Sequence, residues 1–230
     1  MRYSIWILGV LALAGSGCTP DTPATDGSTT HGTSAAHAAG ASGARRVVVN
    51  GVDLTGIGYD RGARDAPIVM VDLSDFACPF CGSHARQTLP ALEREFITQG
   101  KVFYKYVPIV MGFPNGDRAA RAAECAAEQD AFWPMHDRIY ADQAEWKRAS
   151  DPAKVFARHA TSLGLDTTRF GSCYASARGA ARTDAANDRA RRLGVRATPT
   201  FFVNGQMVEG ALPLDRFRVG LTGMLQAPGR

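Results

Sequence analysis

The chain has 230 residues, of which 45% are hydrophobic and 21% charged, the composition of a soluble globular protein with a core of its own. Its formal net charge is +4, and its arginines are spread among acidic residues instead of forming a basic stripe. The composition therefore argues against a nucleic-acid-binding protein.

The first 18 residues have the order of an export signal. Arg2 supplies a positive start, residues 5–14 form an apolar run of about ten residues, and residues 15–17 are small. The apolar run is too short to span a bilayer. Cys18 follows directly, and together with the two residues before it resembles the end of a bacterial lipobox, although Gly15 stands where that pattern prefers Leu. We therefore predict a protein of the bacterial cell envelope, periplasmic or extracytoplasmic, with a lipid anchor at Cys18; a plain secreted form is the alternative.

A disordered tether is predicted for residues 19–45. This stretch is composed mainly of Ala, Gly, Ser, Thr and Pro with hardly any large apolar side chain, and such a composition cannot repay the entropy lost on ordering. The folded part of the chain is predicted to cover residues 46–226.

The first regular elements surround a C-x-x-C pair. Ile68-Val69-Met70-Val71 is a continuous apolar run, which predicts a strand buried on both faces. Cys78-Pro79-Phe80-Cys81 follows this strand, and apolar residues then recur at helical spacing from Ser83 to Gln99, where Pro90 predicts a kink. Residues 101–107 are rich in strand formers and are predicted to form a second strand, parallel to the first.

The second half of the chain changes to a helical pattern. Helical periodicity without a strand-like run extends from Asp117 to about Arg192, which predicts an inserted block of several helices. Residues 201–208 then predict a hairpin with Asn204-Gly205 as its two-residue turn, and residues 214–225 predict a closing helix. The predicted fold is a small α/β sheet interrupted by an all-helical insertion.

The C-x-x-C pair has the spacing needed to form, break or transfer a disulfide. If the helix begins near Pro79, Cys78 lies at its N-terminal edge, where free N–H groups and the helix dipole favour a thiolate. We therefore predict that an exposed Cys78 is the nucleophile. Cys81, one turn further into the helix, is predicted to be the resolving thiol.

A carboxylate precedes the pair at a position where it can act on protons. Asp72 lies six residues before Cys78, at the end of the apolar strand and on the same face as Met70. An ionised carboxylate is costly to bury in that setting, so we predict a raised pKa and proton exchange with Cys81, directly or through water. The alternative is a solvent-exposed strand end. Asp75, nearer the loop, is predicted to be a local cap.

Metal binding is the competing interpretation of the pair. A C-x-x-C pair supplies half of a zinc site, but Cys125 and Cys173 are separate from each other and far along the chain, and His84 adds only a third ligand from the same helix. We therefore predict no metal and no cofactor, and we interpret His84 as a surface or groove histidine.

Three segments resemble the DsbA-like branch of the thioredoxin superfamily, namely residues 74–81, 88–92 and 194–205. The resemblance covers about residues 47–226. It is specific because a C-x-x-C pair alone is common, whereas its combination with Thr198-Pro199 ahead of a hydrophobic strand is not. The family implies a thioredoxin fold with a helical domain inserted at about residues 115–192.

The same resemblance implies roles for several residues. It implies a cis peptide between Thr198 and Pro199, packed against the disulfide, and a Thr198 backbone free to pair with an extended substrate. Phe80 joins these two as a predicted substrate-binding residue. Asp72 matches the position of the family's buried acid.

A second cysteine pair remains once Cys18 is assigned to the export signal. An even number of cysteines in an exported chain fits two disulfides, and some members of the DsbA-like branch carry an additional disulfide in the helical block. Cys125 and Cys173 are therefore predicted to form a structural disulfide. Two buried free thiols are the alternative.

These observations together predict an exported thiol:disulfide oxidoreductase that forms disulfides in cysteine-containing envelope or secreted proteins. By resemblance, a membrane redox partner linked to quinones reoxidises it. Phe80 replaces the His of the most oxidising members and brings neither charge nor a hydrogen-bond donor, so the direction of electron flow stays open. A reductase or isomerase of the same fold is one alternative, and a non-catalytic binding module such as a metal carrier is another.

Overall fold

The structure of the protein is a computed structural model that describes residues 44–176 and 178–227. The predicted signal peptide, Cys18 and residues 19–43 of the predicted tether lie outside the described residues. Within the described ranges, no helix combines the length and the apolar composition needed to cross a bilayer. The strands are β1 (Val48–Val49), β2 (Val52–Asp53), β3 (Tyr59–Arg61), β4 (Ile68–Ser74), β5 (Val102–Pro108), β6 (Thr200–Val203) and β7 (Gln206–Glu209). The helices are α1 (Pro79–Ser83), α2 (Leu89–Leu92), α3 (Gly116–Ala127), α4 (Phe132–Ala141), α5 (Gln143–Arg148), α6 (Pro152–Ser162), α7 (Thr167–Ala175), α8 (Arg178–Arg192) and α9 (Leu214–Gln226).

A mixed sheet with the strand order β3-β5-β4-β6-β7 forms the centre of the described part of the chain. Strand β4 is parallel to β5 and antiparallel to β6, and Asp72 is paired with Tyr106 on one side and with Phe201 on the other. Six helices, α3 to α8, lie in the chain between β5 and β6. The predicted α/β sheet with a helical insertion is therefore confirmed.

The closing hairpin also has the predicted form. Strands β6 and β7 pair antiparallel, and Asn204 and Gly205 between them have positive φ angles of 47° and 82°. Two consecutive positive φ angles are what a tight hairpin turn of the favoured twist requires, and Asn followed by Gly meets this at low cost.

Three short strands near the N-terminus were not predicted. Strands β1 and β2 form a separate two-stranded hairpin with Asn50-Gly51 as its turn, and β3 adds an antiparallel edge to the main sheet beside β5. Asn50-Gly51 lies between valines and has the same Asn-Gly pattern of a two-residue hairpin turn as Asn204-Gly205. Strand β3 has no such signal, because Tyr59-Asp60-Arg61 is too short and too polar to show a pattern of its own.

The two faces of the sheet are covered by different parts of the chain. Met70 and Tyr104 belong to a core shared with α9 and most of the inserted helices, whereas Val71 and Phe202 belong to a core shared with α8 and the first hairpin. Because side chains alternate along a strand, Asp72 lies on the same face as Met70. That is also the face toward which Cys81 points.

The helical segment after the cysteine pair is irregular at the position where Pro90 predicts a kink. Residues His84–Thr88 and Glu93–Ile97 are π-helical, and the N–H of Leu89 donates to the carbonyl of His84. Because Pro90 has no N–H, it cannot complete the regular bond to the carbonyl four residues earlier. The wider π turn passes this break without ending the segment.

Candidate active site

The structure places Cys78 at the N-terminal end of α1. Cys78 has extended backbone angles and Pro79 occupies the first turn of the helix, where a missing N–H costs little. Both Cys78 and Cys81 are free thiols. The prediction that Cys78 is exposed is wrong, because only 1% of the residue is accessible and the sulfur lies against Thr198. The exposed residues of the motif are Pro79 and Phe80, and Phe80 is 65% accessible.

The environment of Cys78 favours its thiolate. A hydrogen bond from the Cys81 side chain is the largest of the effects that hold the pKa of the Cys78 thiol well below its ordinary value. Contacts with Thr198 and with the backbone of Phe80 and Cys81 act in the same direction, and together they outweigh the opposing effect of burial. These backbone groups belong to the first turn of α1, where N–H groups have no partner within the helix.

Thr198 and Pro199 reach the cysteine pair from the loop before β6. The peptide bond between them is cis, as the resemblance implies. The Cys78 Sγ donates to the carbonyl oxygen of Thr198 at 3.2 Å. In this dithiol form the Thr198 carbonyl is therefore engaged by the protein itself, which differs from the expectation of a free backbone.

Asp72 lies inside the sheet and not at a solvent-exposed strand end. It is 1% accessible, its Oδ2 accepts from the hydroxyl of Tyr104 at 2.5 Å, and its Oδ1 accepts from the hydroxyl of Ser74. Burial raises the pKa of Asp72 to about 6 in spite of these two hydrogen bonds. The charge on Asp72 in turn acts on Cys81, whose pKa is raised first by burial and also by Cys78 and Asp72.

His84 is buried, so its interpretation as a surface or groove histidine is wrong. Its ring lies between Phe201 and Phe217, with ring centroids 4.7 Å and 5.6 Å away, and neither ring nitrogen has a hydrogen-bond partner. The Nε2 atom is 3.9 Å from Oδ2 of Asp72. Burial lowers the pKa of His84 to about 3, and His84 is therefore neutral at physiological pH.

Asp75 caps the loop that leads into α1. Its Oδ1 accepts from the N–H of Ala77 at 2.8 Å and its Oδ2 from the N–H of Met111 at 2.7 Å. The carboxylate thus joins the cysteine loop to the segment that follows β5. Burial raises the pKa of Asp75, against the effect of these two hydrogen bonds.

Two side chains of α5 hold the cysteine loop from the other side, and they were not predicted. Gln143 donates from Nε2 to the carbonyls of Phe76 and Cys78, at 2.7 Å and 2.8 Å. Lys147 donates from Nζ to the carbonyl of Ala77 at 2.6 Å. Gln143 and Lys147 are four residues apart and therefore share one helix face. Their spacing in the sequence indicates that they share a face, but it does not indicate that this face contacts the cysteine loop.

The second cysteine pair lies in the helical insertion. Cys125 of α3 and Cys173 of α7 form a disulfide, and both residues are buried. Among the residues that the structure describes, no three His, Cys, Asp or Glu side chains are close enough together to hold a metal ion.

Comparison with known proteins agrees with this arrangement. The family model described as Thioredoxin matches residues 55–221, which is more than half of the chain. The chain belongs to the thioredoxin family. The matched range includes the C-x-x-C pair and the cis Thr198-Pro199 bond.

The curated relatives are much longer than this thioredoxin-family chain. It is 41% identical over 157 residues to a Na(+)/H(+) antiporter NhaA 3 of Salinispora tropica, and 38% identical over 165 residues to a Na(+)/H(+) antiporter NhaA 1 of Salinispora arenicola. The matches cover 67% and 70% of this chain but only 23% and 24% of the antiporters. The chain thus spans about a quarter of the length of these relatives.

Solved structures show the same fold in DsbA-like proteins. Oxidised BdbD from Bacillus subtilis matches with a TM-score of 0.69 at 21% identity, over 80% of this chain and 98% of the other. DsbA from Chlamydia trachomatis matches with a TM-score of 0.67 at 20% identity, over 74% and 94%. The predicted resemblance to the DsbA-like branch is therefore confirmed at the level of the fold.

Proposed function

We propose that the protein is an exported thiol:disulfide oxidoreductase that forms disulfides in envelope or secreted proteins by exchange at Cys78 and Cys81. The observation that carries this proposal is the different environment of the two thiols. Cys78 lies at a helix N-terminus, in contact with the Thr198 carbonyl, and the pKa of its thiol is lowered, whereas burial and the nearby Asp72 raise the pKa of the Cys81 thiol. Attack and release are thereby assigned to different sulfurs.

The reaction proceeds in two exchanges. A substrate thiolate attacks the sulfur of Cys78 in the oxidised protein, the bond to Cys81 breaks, and Cys81 takes the electron pair. A second substrate thiolate then attacks the substrate sulfur of the mixed disulfide and releases Cys78 as a thiolate. The substrate loses two electrons to the cysteine pair. A membrane redox partner must remove these electrons before the next cycle.

The lowered pKa of Cys78 supports the oxidising direction. A stabilised thiolate stabilises the dithiol form, so the corresponding disulfide is a stronger oxidant. Phe80 contributes no charge to this effect. The stabilisation of the Cys78 thiolate comes from the Cys81 side chain, Thr198 and the backbone of α1. Because Phe80 adds nothing to it, a reductase or isomerase is the second candidate.

Substrate contact is proposed at Phe80, Thr198 and Pro199, since Phe80 is exposed beside the buried sulfur. A substrate strand reaches the Thr198 carbonyl once the Cys78 thiol no longer occupies it. Cys18 is proposed as the lipid anchor on the basis of its sequence context alone.

The reduction potential of the Cys78/Cys81 pair in glutathione buffers tests the direction. A value near −120 mV, as in DsbA, supports the oxidase, whereas a value near −270 mV, as in thioredoxin, supports a reductase; the two differ by about 7 kcal/mol.

Replacement of the nucleophile tests the site itself. We expect Cys78→Ala to abolish the oxidation of a reduced, unfolded substrate protein, measured by quenched thiol trapping. The control is the double variant Cys125→Ala/Cys173→Ala, which removes two sulfurs outside the proposed site and should stay active. Stoichiometric metal in the purified protein without disulfide transfer would instead identify a metal carrier.

A further inference from the structure

Ser74 lies between the two groups that must exchange a proton. It is the last residue of β4, it is 1% accessible, and it follows Asp72 by two residues, so both side chains emerge on the same face of the sheet. Its hydroxyl donates to Oδ1 of Asp72. Cys81 points toward this same face, and Ser74 acts on it as a hydrogen-bonding group that lowers the pKa of its thiol against the effect of burial. Ser74 is thus hydrogen-bonded to the acid and lies on the side of the sheet that carries the resolving sulfur.

A hydroxyl in this position can serve both protonation states of the site. It carries one hydrogen and two lone pairs, so it can donate to one neighbour while it accepts from the other. When Asp72 is ionised and Cys81 is a thiol, Ser74 donates to the carboxylate and accepts from the thiol. When Cys81 is a thiolate and Asp72 is protonated, both hydrogen bonds reverse. Neither state leaves the carboxyl oxygen, the hydroxyl or the sulfur of this chain of three groups without a partner.

The other oxygen of Asp72 faces groups that do not exchange protons in the working pH range. Tyr104 donates to Oδ2 at 2.5 Å, and burial raises the pKa of its phenol well above the ordinary value. His84 Nε2 lies 3.9 Å from Oδ2, and its lowered pKa keeps the ring neutral. The titratable groups that act on Asp72 from the elements packed around it are Cys81, His84, Tyr104, Tyr106 and Tyr140. Of these, Cys81 is the one that changes protonation during disulfide exchange.

We propose that Ser74 relays the proton between Cys81 and Asp72 during disulfide exchange. The proposal rests on the proposed function of the cysteine pair and adds the path of its proton. In the oxidising direction, the Cys78–Cys81 bond breaks and leaves an electron pair on Cys81. Ser74 gives its hydroxyl proton to that sulfur and takes the carboxyl proton of Asp72. In the reverse direction, Cys81 gives its proton to Ser74, Ser74 gives its own to Asp72, and the new thiolate attacks Cys78.

The test measures the step in which Cys81 leaves. Oxidised protein is mixed with excess reduced glutathione, the reaction is quenched with acid, and the newly formed Cys81 thiol is quantified by alkylation and mass spectrometry from pH 4 to pH 9. The rate is divided by the concentration of glutathione thiolate. For the wild type, this normalised rate should fall as pH rises through about 6, where Asp72 loses its proton.

Ser74→Ala should lose the pH-dependent part of this rate. We expect a decrease of about 100-fold below pH 6, the lower end of the usual contribution of general acid catalysis, and a flat profile. Ser74→Thr keeps the hydroxyl and should restore the profile. If Ser74 acts only as a hydrogen-bond donor that lowers the pKa of Asp72, Ser74→Ala moves the profile to higher pH without loss of amplitude, and this result would overturn the relay.

Two further measurements separate the possible failures. Thr88→Ala removes another buried hydroxyl, in the helical segment that follows the pair, and should leave the profile unchanged. The second measurement is a proton inventory, in which the rate of Cys81 thiol release by the wild-type protein is followed as a function of the fraction of D2O in the solvent. It needs no variant. A curved dependence fits the transfer of two protons in one step, and a linear dependence excludes the relay. If Cys78→Ala retains disulfide transfer, the proposed function itself fails, whereas an unchanged Ser74→Ala profile with an essential Cys78 overturns the relay alone.

Discussion

At the scale of single residues, the main electrostatic feature of the site is the buried carboxyl group of Asp72. Asp72 is enclosed in the sheet with Tyr104 and Ser74 as its hydrogen-bond donors and no cation beside it among the contacts described. Two hydrogen bonds do not replace the hydration of a carboxylate, which is why the pKa of Asp72 rises. The site thus keeps an acid whose pKa is about 6, at the expense of stability when that acid ionises.

Removal of this carboxylate should stabilise the protein in a pH-dependent way. The folded state raises the pKa of Asp72 from 3.8 to about 6, so its contribution to stability is fully present below pH 3.8 and is lost as pH rises through 6. The rise corresponds to about 3 kcal/mol. We expect Asp72→Asn to raise the free energy of unfolding of the dithiol form by up to about 3 kcal/mol at pH 8 and by little at pH 3.5.

Urea unfolding at the two pH values measures this difference. The exposed Asp65 provides the matched control, and Asp65→Asn should change neither value by more than about 0.5 kcal/mol. An equal effect of Asp72→Asn at both pH values would contradict the raised pKa.

At the scale of elements, α5 joins the helical insertion to the cysteine loop. Gln143 and Lys147 donate three hydrogen bonds to the carbonyls of three consecutive residues, Phe76 to Cys78. These donors satisfy carbonyl oxygens of a buried loop, where an unpaired oxygen is costly; the Cys78 carbonyl also accepts from the N–H of Gly82. The insertion therefore holds the backbone that carries Cys78.

Loss of the cation on α5 should weaken the Cys78 thiolate. Lys147→Met keeps a side chain of similar length but removes the ammonium that donates to Ala77. We expect the pKa of the Cys78 thiol to rise by up to about one unit, which is about 1.4 kcal/mol, and the reduction potential to fall by about 30 mV. The pH dependence of iodoacetamide alkylation measures the pKa.

Lys154→Met is the control for this change, because Lys154 lies on α6 and its side chain is 80% exposed. It removes the same charge at a site without a contact to the cysteine loop among those described. Equal pKa values for both variants would show that Lys147 acts on Cys78 through net charge alone.

At the scale of the whole molecule, the inserted helices are held together, and joined to the sheet, by contacts of their own. The disulfide between Cys125 and Cys173 closes a loop across 48 residues and ties α3 to α7. Tyr59 of β3 donates to the buried Glu124 of α3 at 2.6 Å, which joins the block to the edge of the sheet. Both connections lie away from Cys78 and Cys81 in the chain, so we assign them to stability and not to exchange.

Removal of the disulfide should therefore lower stability and spare activity. Closure of a 48-residue loop is worth about 4 kcal/mol in the chain-entropy model. We expect Cys125→Ala/Cys173→Ala to lose about 2–4 kcal/mol of unfolding free energy in urea, while the initial rate of substrate oxidation stays within about twofold of wild type. Thiol trapping of the denatured, unreduced wild-type protein checks the bond directly, and four trapped thiols in protein purified without reductant would refute it.

The sequence by itself determined the elements whose patterns are local. The apolar run of β4, the Asn204-Gly205 turn and the helical periodicity between Asp117 and Arg192 each depend only on residues close together in the sequence, and the structure confirms all three. The same holds for the placement of Asp72 on the face of Met70, because alternation along a strand needs no knowledge of the partner strands.

Only the tertiary structure decided what surrounds the cysteine pair. The cover over Cys78 comes from Thr198, 120 residues away, and the donors to its loop come from Gln143 and Lys147, 65 to 70 residues away. The burial of His84 depends on Phe201 and Phe217 in the same manner. Periodicity describes how a segment divides between buried and exposed faces, but it does not identify which distant segment covers the buried face. Contacts of that kind shift the pKa values of Cys78 and His84, and they exist only once the chain has folded.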